Sequence, residues 1–210
     1  MSTRRLLLAV AVLLLAGGVY LIFIATPPGP RSLRAFDPDR TADLEVDMWK
    51  AYYSKENVRL FRGLLTLTHE QYRYPWFKAA RASVYLARAA ARFGNLRGDY
   101  EQVLPDLERA YAIARDWTGS NFDPAAVSRA ELAWWVARRD PARNAPDQIG
   151  QLIAEENSLL YGVPVERVRL ASNLRARAGW LRDQGGARAD WADVSRLLHE
   201  SFRQLYVAVQ

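Results

Sequence analysis

An uncharged, strongly apolar run at residues 6–25 constrains this chain more than any other feature of its sequence. The run reads LLLAVAVLLLAGGVYLIFIA and directly follows Arg4 and Arg5. Twenty residues in an α-helix extend about 30 Å, which matches the hydrocarbon thickness of a bilayer. We therefore predict an N-terminal transmembrane anchor over residues 1–25.

A cleaved secretory signal peptide is the alternative interpretation of the same run. Residues 6–15 have the length of a signal-peptide apolar core, and the small residues that follow offer a cleavage site. Cleavage there would leave an exposed N-terminus beginning VYLIFIA, so we prefer the uncleaved anchor. Because Arg4 and Arg5 adjoin the run, we expect the N-terminus inside the cytoplasm and the rest of the chain outside it.

The remainder of the sequence predicts helices. Prolines between residues 26 and 40 predict a semi-rigid linker. From residue 41 to residue 210, apolar residues recur at steps of three and four, and alternating β-branched runs are missing. This pattern predicts an all-α soluble domain over residues 41–210. Proline and glycine divide it into seven predicted helices at about 41–72, 75–93, 99–117, 124–139, 146–161, 164–185 and 189–207.

Two stretches carry a local resemblance to a repeat. The sequence ASVYLARAAARFG at residues 82–94 resembles the first helix of a tetratricopeptide repeat, and GDYEQVLPDLERAYAI at residues 98–113 resembles the second. Three extra residues separate them, Pro105 is misplaced for a standard repeat, and no second copy follows at a fixed period. The resemblance implies one helical hairpin.

Four further segments resemble a group of small, uncharacterised, membrane-anchored helical proteins of bacteria. They are DLEVDMWKAYYSK, AELAWWVARRD, LLYG and WLRD, which begin at residues 43, 130, 159 and 180. No activity is attached to that group, so the resemblance implies the build alone.

Composition argues against several classes of function. The formal net charge is +6, but arginines are spread along every segment beside acidic residues, whereas nucleic-acid binders concentrate their cations. We therefore expect no nucleic-acid partner. The chain contains no cysteine, and neither histidine, His69 or His199, has a glutamate three residues before it as di-iron bundles require. We expect no metal site and no cofactor.

Charged residues on apolar helical stripes are the most informative side chains. Glu45 lies one turn before Trp49, Glu131 lies beside Trp134, and Arg177 falls on a predicted stripe of leucines. Because a buried charge needs a partner, we predict that Glu45 or Glu131 meets Arg177 in the interior. The alternative is a paired-carboxylate site in which Glu45 or Glu131 has a raised pKa and acts as an acid or base.

Tryptophans supply a second set of candidates. Trp49, Trp134 and Trp135 lie at helical spacing and are expected in the core. Trp134 and Trp135 are adjacent and thus about 100° apart on a helix, so one is expected near the edge of the core. Because aromatic residues are enriched at interfaces, these three are also candidate interaction residues.

These patterns favour a non-catalytic, membrane-tethered helical factor that interacts with or assembles a protein partner. The second hypothesis is a bundle enzyme or cofactor-binding protein that uses Glu45 and Glu131. The third is an envelope protein whose bundle self-associates as a homo-oligomer.

Overall fold

The computed structural model describes residues 3–210, apart from the side chains of Thr3, Arg5, Leu6 and Ala9. Every regular element in these residues is helical, which confirms the predicted all-α fold. Two short 3-10 segments lie at Tyr100–Val103 and Gly186–Arg188. The α-helices are α1 (Thr3–Phe23), α2 (Pro38–Tyr53), α3 (Asn57–Glu70), α4 (Trp76–Asn95), α5 (Leu104–Thr118), α6 (Pro124–Ala137), α7 (Pro146–Tyr161), α8 (Val165–Gly185) and α9 (Trp191–Val209).

Helices α2 to α9 form a closed ring. Each packs on the next in chain order, and α9 returns to pack on α2. Side chains from α2, α4, α6 and α8 meet near the axis of the ring. The buried apolar residues fall into separate clusters between neighbouring helices, since polar side chains occupy part of the interior.

The first predicted helix, at 41–72, is two helices in the structure. Helix α2 ends at Tyr53, and Lys55 adopts a left-handed conformation with a φ of 58° before α3 starts at Asn57. The apolar periodicity continues across this break because both helices face the same interior, so the sequence pattern did not show it. The soluble part therefore has eight α-helices where seven were predicted.

The start of α2 also differs from the prediction. Asp37 caps this helix, since its carboxylate accepts hydrogen bonds from the backbone N–H groups of Asp39 and Arg40, and Pro38 occupies the first turn. The sequence predicted that this helix begins at about residue 41. Helix α2 therefore begins inside the predicted linker.

The segment before α2 packs on the ring. Leu33 and Phe36 are buried, and the Arg34 guanidinium donates a hydrogen bond to the Tyr161 carbonyl oxygen. Apolar residues in the predicted linker thus join the core, although its prolines predicted only a semi-rigid spacer between anchor and domain.

The predicted hairpin is present as α4 and α5, which pack against each other. A 3-10 segment precedes α5, and Pro105 sits in the first turn of that helix, where its missing N–H costs no intrahelical hydrogen bond. The likeness to a tetratricopeptide repeat receives no further support from this hairpin.

The N-terminal helix α1 carries exposed apolar side chains and touches the ring through α4, where the Phe23 and Phe77 rings lie 4.9 Å apart. Among the residues that the structure describes, no helix has both the length and the apolar character needed to cross a membrane. The predicted anchor is therefore unsupported. The helix ends at Phe23, so its uncharged part covers 6–23 and extends about 27 Å, at the short end for a span.

Candidate binding cleft

A cleft of about 320 Å³ opens on the axis of the ring. Its size is at the lower end of the range for small-molecule sites. We call it the central cleft. It is lined by Glu45, Met48, Trp49, Tyr52, Tyr53, Leu60, Leu64, Leu86, Ala90, Phe93, Glu131, Trp134, Trp135, Arg138, Arg139, Arg175 and Asp183.

Glu45 lies at the inner end of the central cleft and is fully engaged. Its side chain is 11% exposed and pairs with the Arg175 guanidinium of α8, a helix separated from α2 by α9 alone. The Trp49 indole, one turn along α2, donates a second hydrogen bond of 2.9 Å to the same carboxylate oxygen. Glu45 is thus a buried carboxylate whose charge is balanced by a cation and stabilised by a neutral donor.

Glu156 on α7 is a second buried carboxylate of this interior. The Trp134 indole donates a hydrogen bond of 2.5 Å to it, and the Tyr111 hydroxyl donates one of 3.2 Å. Burial raises the pKa of Glu156, because these donors are neutral and only partly replace water.

Glu131 on α6 is the third carboxylate and the least satisfied. It lines the central cleft, and its Oε2 atom is buried without a hydrogen-bond partner. Burial raises the pKa of Glu131 to about 8, and the nearby charge of Glu156 adds to the shift. At neutral pH Glu131 is therefore mostly protonated.

The cation that pairs with these buried carboxylates is Arg175, whereas the sequence predicted that Arg177 would be their partner. Arg177 is exposed on α8 and takes no part. Three members of the stripe used for that prediction, Leu174, Ala178 and Leu181, do pack in the core, but the fourth, Leu170, is 57% exposed. The buried face of α8 is instead built from small residues, which let Arg175 reach inward: Val168, Ala171, Ser172, Ala176, Ala178 and Gly179.

Burial alone would lower the pKa of Arg175, but Glu45 and Glu156 more than offset this, so its pKa lies above the ordinary value. Arg175 therefore stays charged. We refer to Glu45, Glu131, Glu156 and Arg175 as the carboxylate cluster, in which three carboxyl groups surround one guanidinium.

A second charged group forms the outer rim of the central cleft. Arg138, which caps the C-terminus of α6, donates hydrogen bonds to Asp183 on α8 at 2.7 Å and to the Tyr53 hydroxyl on α2 at 2.8 Å. A β-carbon at Gly179 would lie only 3.1 Å from the Arg138 guanidinium carbon, so a glycine there leaves room for this arginine. The rim thus joins three helices of the ring.

The three candidate tryptophans all line the central cleft. Trp134 is 7% exposed, whereas Trp135 is half-buried, as the 100° offset between neighbours predicts. The rings of these two residues lie 6.1 Å apart, edge to face. The indole nitrogens of Trp49 and Trp134 hold carboxylates, so Trp135 is the tryptophan whose polar group remains unassigned.

Sequence reasoning missed Glu156 and Arg175, although a signal for each was present. Ile149, Ile153 and Glu156 follow at steps of four and three on α7, which is the same acid-on-a-stripe pattern that identified Glu45. Arg175 follows Val168 and Ala171 at steps of three and four. The prediction relied mainly on large apolar residues to define a stripe, so it did not identify Arg175 as a residue of the buried face.

The two histidines lie in separate places. His69 stacks on Trp76 with ring centroids 3.7 Å apart, and His199 contacts Asp43 at 3.1 Å. No group of three or more histidine, aspartate or glutamate side chains suited to a metal ion occurs in the described part of the chain.

No family model, curated protein or solved structure matches this chain. Its function must therefore be argued from the central cleft itself.

Proposed function

We propose that this protein is a non-catalytic binding factor that holds part of a partner in the central cleft. The observation that carries the proposal is an open cleft, walled by aromatic residues, with an unpartnered buried acceptor on Glu131. Aromatic walls supply apolar contact area at low conformational cost, and one convergent polar group fixes orientation. Because the walls belong to packed helices, the cleft is largely pre-formed, which reduces the cost of binding.

A cleft of this size accepts one or two side chains or a small organic group, and it is too small for a whole helix. The proposed mode of binding is therefore the insertion of a single group from a partner. Surrounding surfaces of the ring would supply the remaining contacts.

An acid–base enzyme is the second candidate, and one observation favours it: the pKa of Glu131 is raised to about 8 beside the cleft. Such a site would need a second carboxylate that is free to act. Glu45 is instead held by Arg175 and Trp49. We prefer the binding factor for this reason.

We further propose that the apolar N-terminal segment places the ring at a membrane, with the ring outside the cytoplasm. The support is the uncharged run at 6–25 and its position after Arg4 and Arg5. The helix α1 that contains most of this run keeps its apolar side chains outside the ring. A bound lipid surface would cover them.

Filling the cleft tests the binding function. Ala90 lines the central cleft from α4, so Ala90→Trp should occupy it, whereas Val84→Trp places the same bulk on an exposed position of the same helix. We expect native mass measurement of the gently extracted full-length protein to show a bound companion that is lost with Ala90→Trp and kept with Val84→Trp. A companion retained by both variants, or a bare homo-oligomer in the unsubstituted protein, would contradict the proposal.

A single cysteine tests the location, because the chain has none of its own. Asn121 is exposed before α6, so Asn121→Cys should react with a membrane-impermeant thiol reagent in intact spheroplasts. Removal of residues 1–25 should release the protein from the membrane fraction. Labelling only after lysis would place the ring in the cytoplasm. If the truncated protein stayed in the membrane fraction, residues 1–25 would not be the membrane anchor.

A further inference from the structure

The carboxylate cluster, part of which lines the central cleft, contains more carboxyl groups than cations. Glu45, Glu131 and Glu156 surround Arg175, whose guanidinium hydrogen-bonds to Glu45. In the range 3–210 that the structure describes, no cation donates a hydrogen bond to Glu131, and its Oε2 is buried without a donor. A buried polar atom without a partner is costly, so this oxygen favours any guest that brings a donor.

The cations at the rim are already engaged. Arg138 is paired with Asp183 at 2.7 Å. Arg139 donates to the Leu96 carbonyl oxygen at 2.9 Å and lies 3.8 Å from the centre of the Phe93 ring. The rim cations therefore already have partners, whereas Oε2 of Glu131 has none, and an anionic guest would bring no N–H donor to that oxygen.

The walls of the cleft suit a cation attached to an apolar body. The faces of tryptophan, tyrosine and phenylalanine attract ammonium groups and also pack against hydrocarbon. Trp49 from α2 and Trp135 from α6 both line the cleft together with Glu131. A guest amine at Glu131 would thus have aromatic carbon beside its body.

We propose that the central cleft binds an organic ammonium group, which donates a hydrogen bond to Glu131 while its short apolar body packs against Trp49 and Trp135. This inference rests on the proposed binding function of the cleft. No covalent bond changes in the complex. The ammonium keeps its N–H protons, and the carboxylic acid of Glu131 gives its own proton to the buffer as it pairs with the guest.

Proton release follows from the surroundings of Glu131. Burial raises the pKa of Glu131 to about 8, and an incoming cation lowers it again. Binding should therefore release a proton below pH 8, and affinity should rise with pH between 6 and 8. The titratable or charged groups that act on Glu131 are Glu45 on α2, Tyr72 before α4, Tyr111 on α5, Glu156 on α7 and Arg175 on α8. Arg138 and Arg139, directly after α6, line the same cleft.

Calorimetric titration of the full-length protein in detergent with matched probes tests the proposal. The probes are 2-phenylethylamine, the neutral 2-phenylethanol and the anionic phenylacetate, which share one apolar body. We expect the amine to bind at least tenfold more tightly than the alcohol, and phenylacetate not to bind. Glu131→Gln should lower the affinity for the amine at least tenfold and leave the affinity for the alcohol unchanged. The control Glu155→Gln, at an exposed position of α7, should change neither.

The proton count gives a readout that needs no variant to fold. Titration at pH 7 in two buffers of different ionisation enthalpy should show close to one proton released for each 2-phenylethylamine bound. Glu131→Gln, if its circular dichroism matches that of the unsubstituted protein, should release none. An amine that binds without proton release would overturn the role of Glu131.

A lysine analogue, N-acetyl-lysine-N′-methylamide, separates two sources of the same chemistry. Tighter binding of this probe than of 2-phenylethylamine would identify the guest as a lysine side chain of a partner, and the reverse would identify a free amine. Equal binding of amine and alcohol would overturn the proposed ammonium site while leaving the cleft as a binding site. Loss of the companion with Val84→Trp as readily as with Ala90→Trp would instead overturn the proposed function.

Discussion

Asp106 on α5 and Glu131 on α6 are both carboxylates with buried oxygens, but their partners differ. Asp106 is 2% exposed. Arg88 donates hydrogen bonds to both of its carboxylate oxygens, with Nε at 2.7 Å from Oδ2. Hydrogen bonding to Arg88 holds the pKa of Asp106 below its ordinary value. Glu131 lacks such a partner, and its pKa is raised to about 8.

The comparison teaches which buried charges in this ring are structural. Asp106 joins the hairpin α4–α5 between neighbouring helices, and its partner comes from the same hairpin. Glu131 lines the central cleft, where the nearby cation Arg175 is hydrogen-bonded to Glu45 instead. A carboxylate that is satisfied within the fold stabilises it, whereas one left unsatisfied beside a cleft costs stability and is available to a guest.

Removing Arg175 should have the largest effect, because it would turn Glu45 into a second unsatisfied carboxylate. Arg175→Met is expected to lower the free energy of unfolding by about 4 kcal/mol, the usual cost of stranding a buried charge. Chemical denaturation followed by circular dichroism measures this. Arg177→Met, two positions away on the exposed side of α8, should change it by less than about 0.5 kcal/mol. Equal effects of the two substitutions would show that Glu45 needs no cation.

Breaking the satisfied carboxylate should have the next largest effect. Asp106→Asn removes the charge-assisted pairing with Arg88 and is expected to cost about 2 kcal/mol, since Arg88 itself can return to water. The matched control is Asp116→Asn, at an exposed position of the same helix. If Asp106→Asn left the melting temperature unchanged, the pairing of Asp106 with Arg88 would not stabilise the fold, and Asp106 would not differ from Glu131 in this respect.

Neutralising the unsatisfied carboxylate should act in the opposite direction. Glu131→Gln removes the cost of an ionised group at this position, so the variant should be more stable than the unsubstituted protein by about 1 kcal/mol at pH 8. The variant Glu155→Gln provides the baseline. A large loss of stability in Glu131→Gln would instead mean that Glu131 is a structural residue.

The smallest effect is a difference in pH dependence. Asp106 has a lowered pKa in the folded state, so its stabilisation is present above pH 4 and is lost as pH falls further. Glu131 has a raised pKa, so the folded state holds a proton that the unfolded state releases, and stability falls as pH rises from about 4.5 to 8. In a plot of stability against pH, Asp106→Asn should reduce only the loss of stability below pH 4. Glu131→Gln should reduce only the loss between about pH 4.5 and pH 8. Denaturation midpoints measured from pH 3 to pH 9 check both.

The sequence was sufficient for the helical class and for most helix boundaries, because proline and glycine mark the turns and apolar periodicity marks the faces. It did not show the break at Lys55, where a left-handed residue interrupts a pattern that continues in register. It placed Glu45 and Glu131 on apolar faces, and the structure brings both to one cleft.

The partner of Glu45 was placed two residues away from its true position. A stripe of large residues suggested Arg177, but close packing of α8 uses small ones, and Gly150 of α7 shows why. A β-carbon at Gly150 would lie 2.0 Å from Asn173 Oδ1, so these two helices approach too closely for large side chains. Whether an arginine points inward there depends on this helix spacing, which a single sequence does not display.

The packing of α9 on α2 determines the order in which parts of this protein can fold during synthesis. Gln210, directly after α9, donates a hydrogen bond to the Arg34 carbonyl oxygen, so the end of α9 meets the segment that precedes α2. During synthesis the hairpins can form as they emerge, but the ring cannot close until α9 has been made. The central cleft, which is lined from both α2 and α8, is therefore completed late in synthesis.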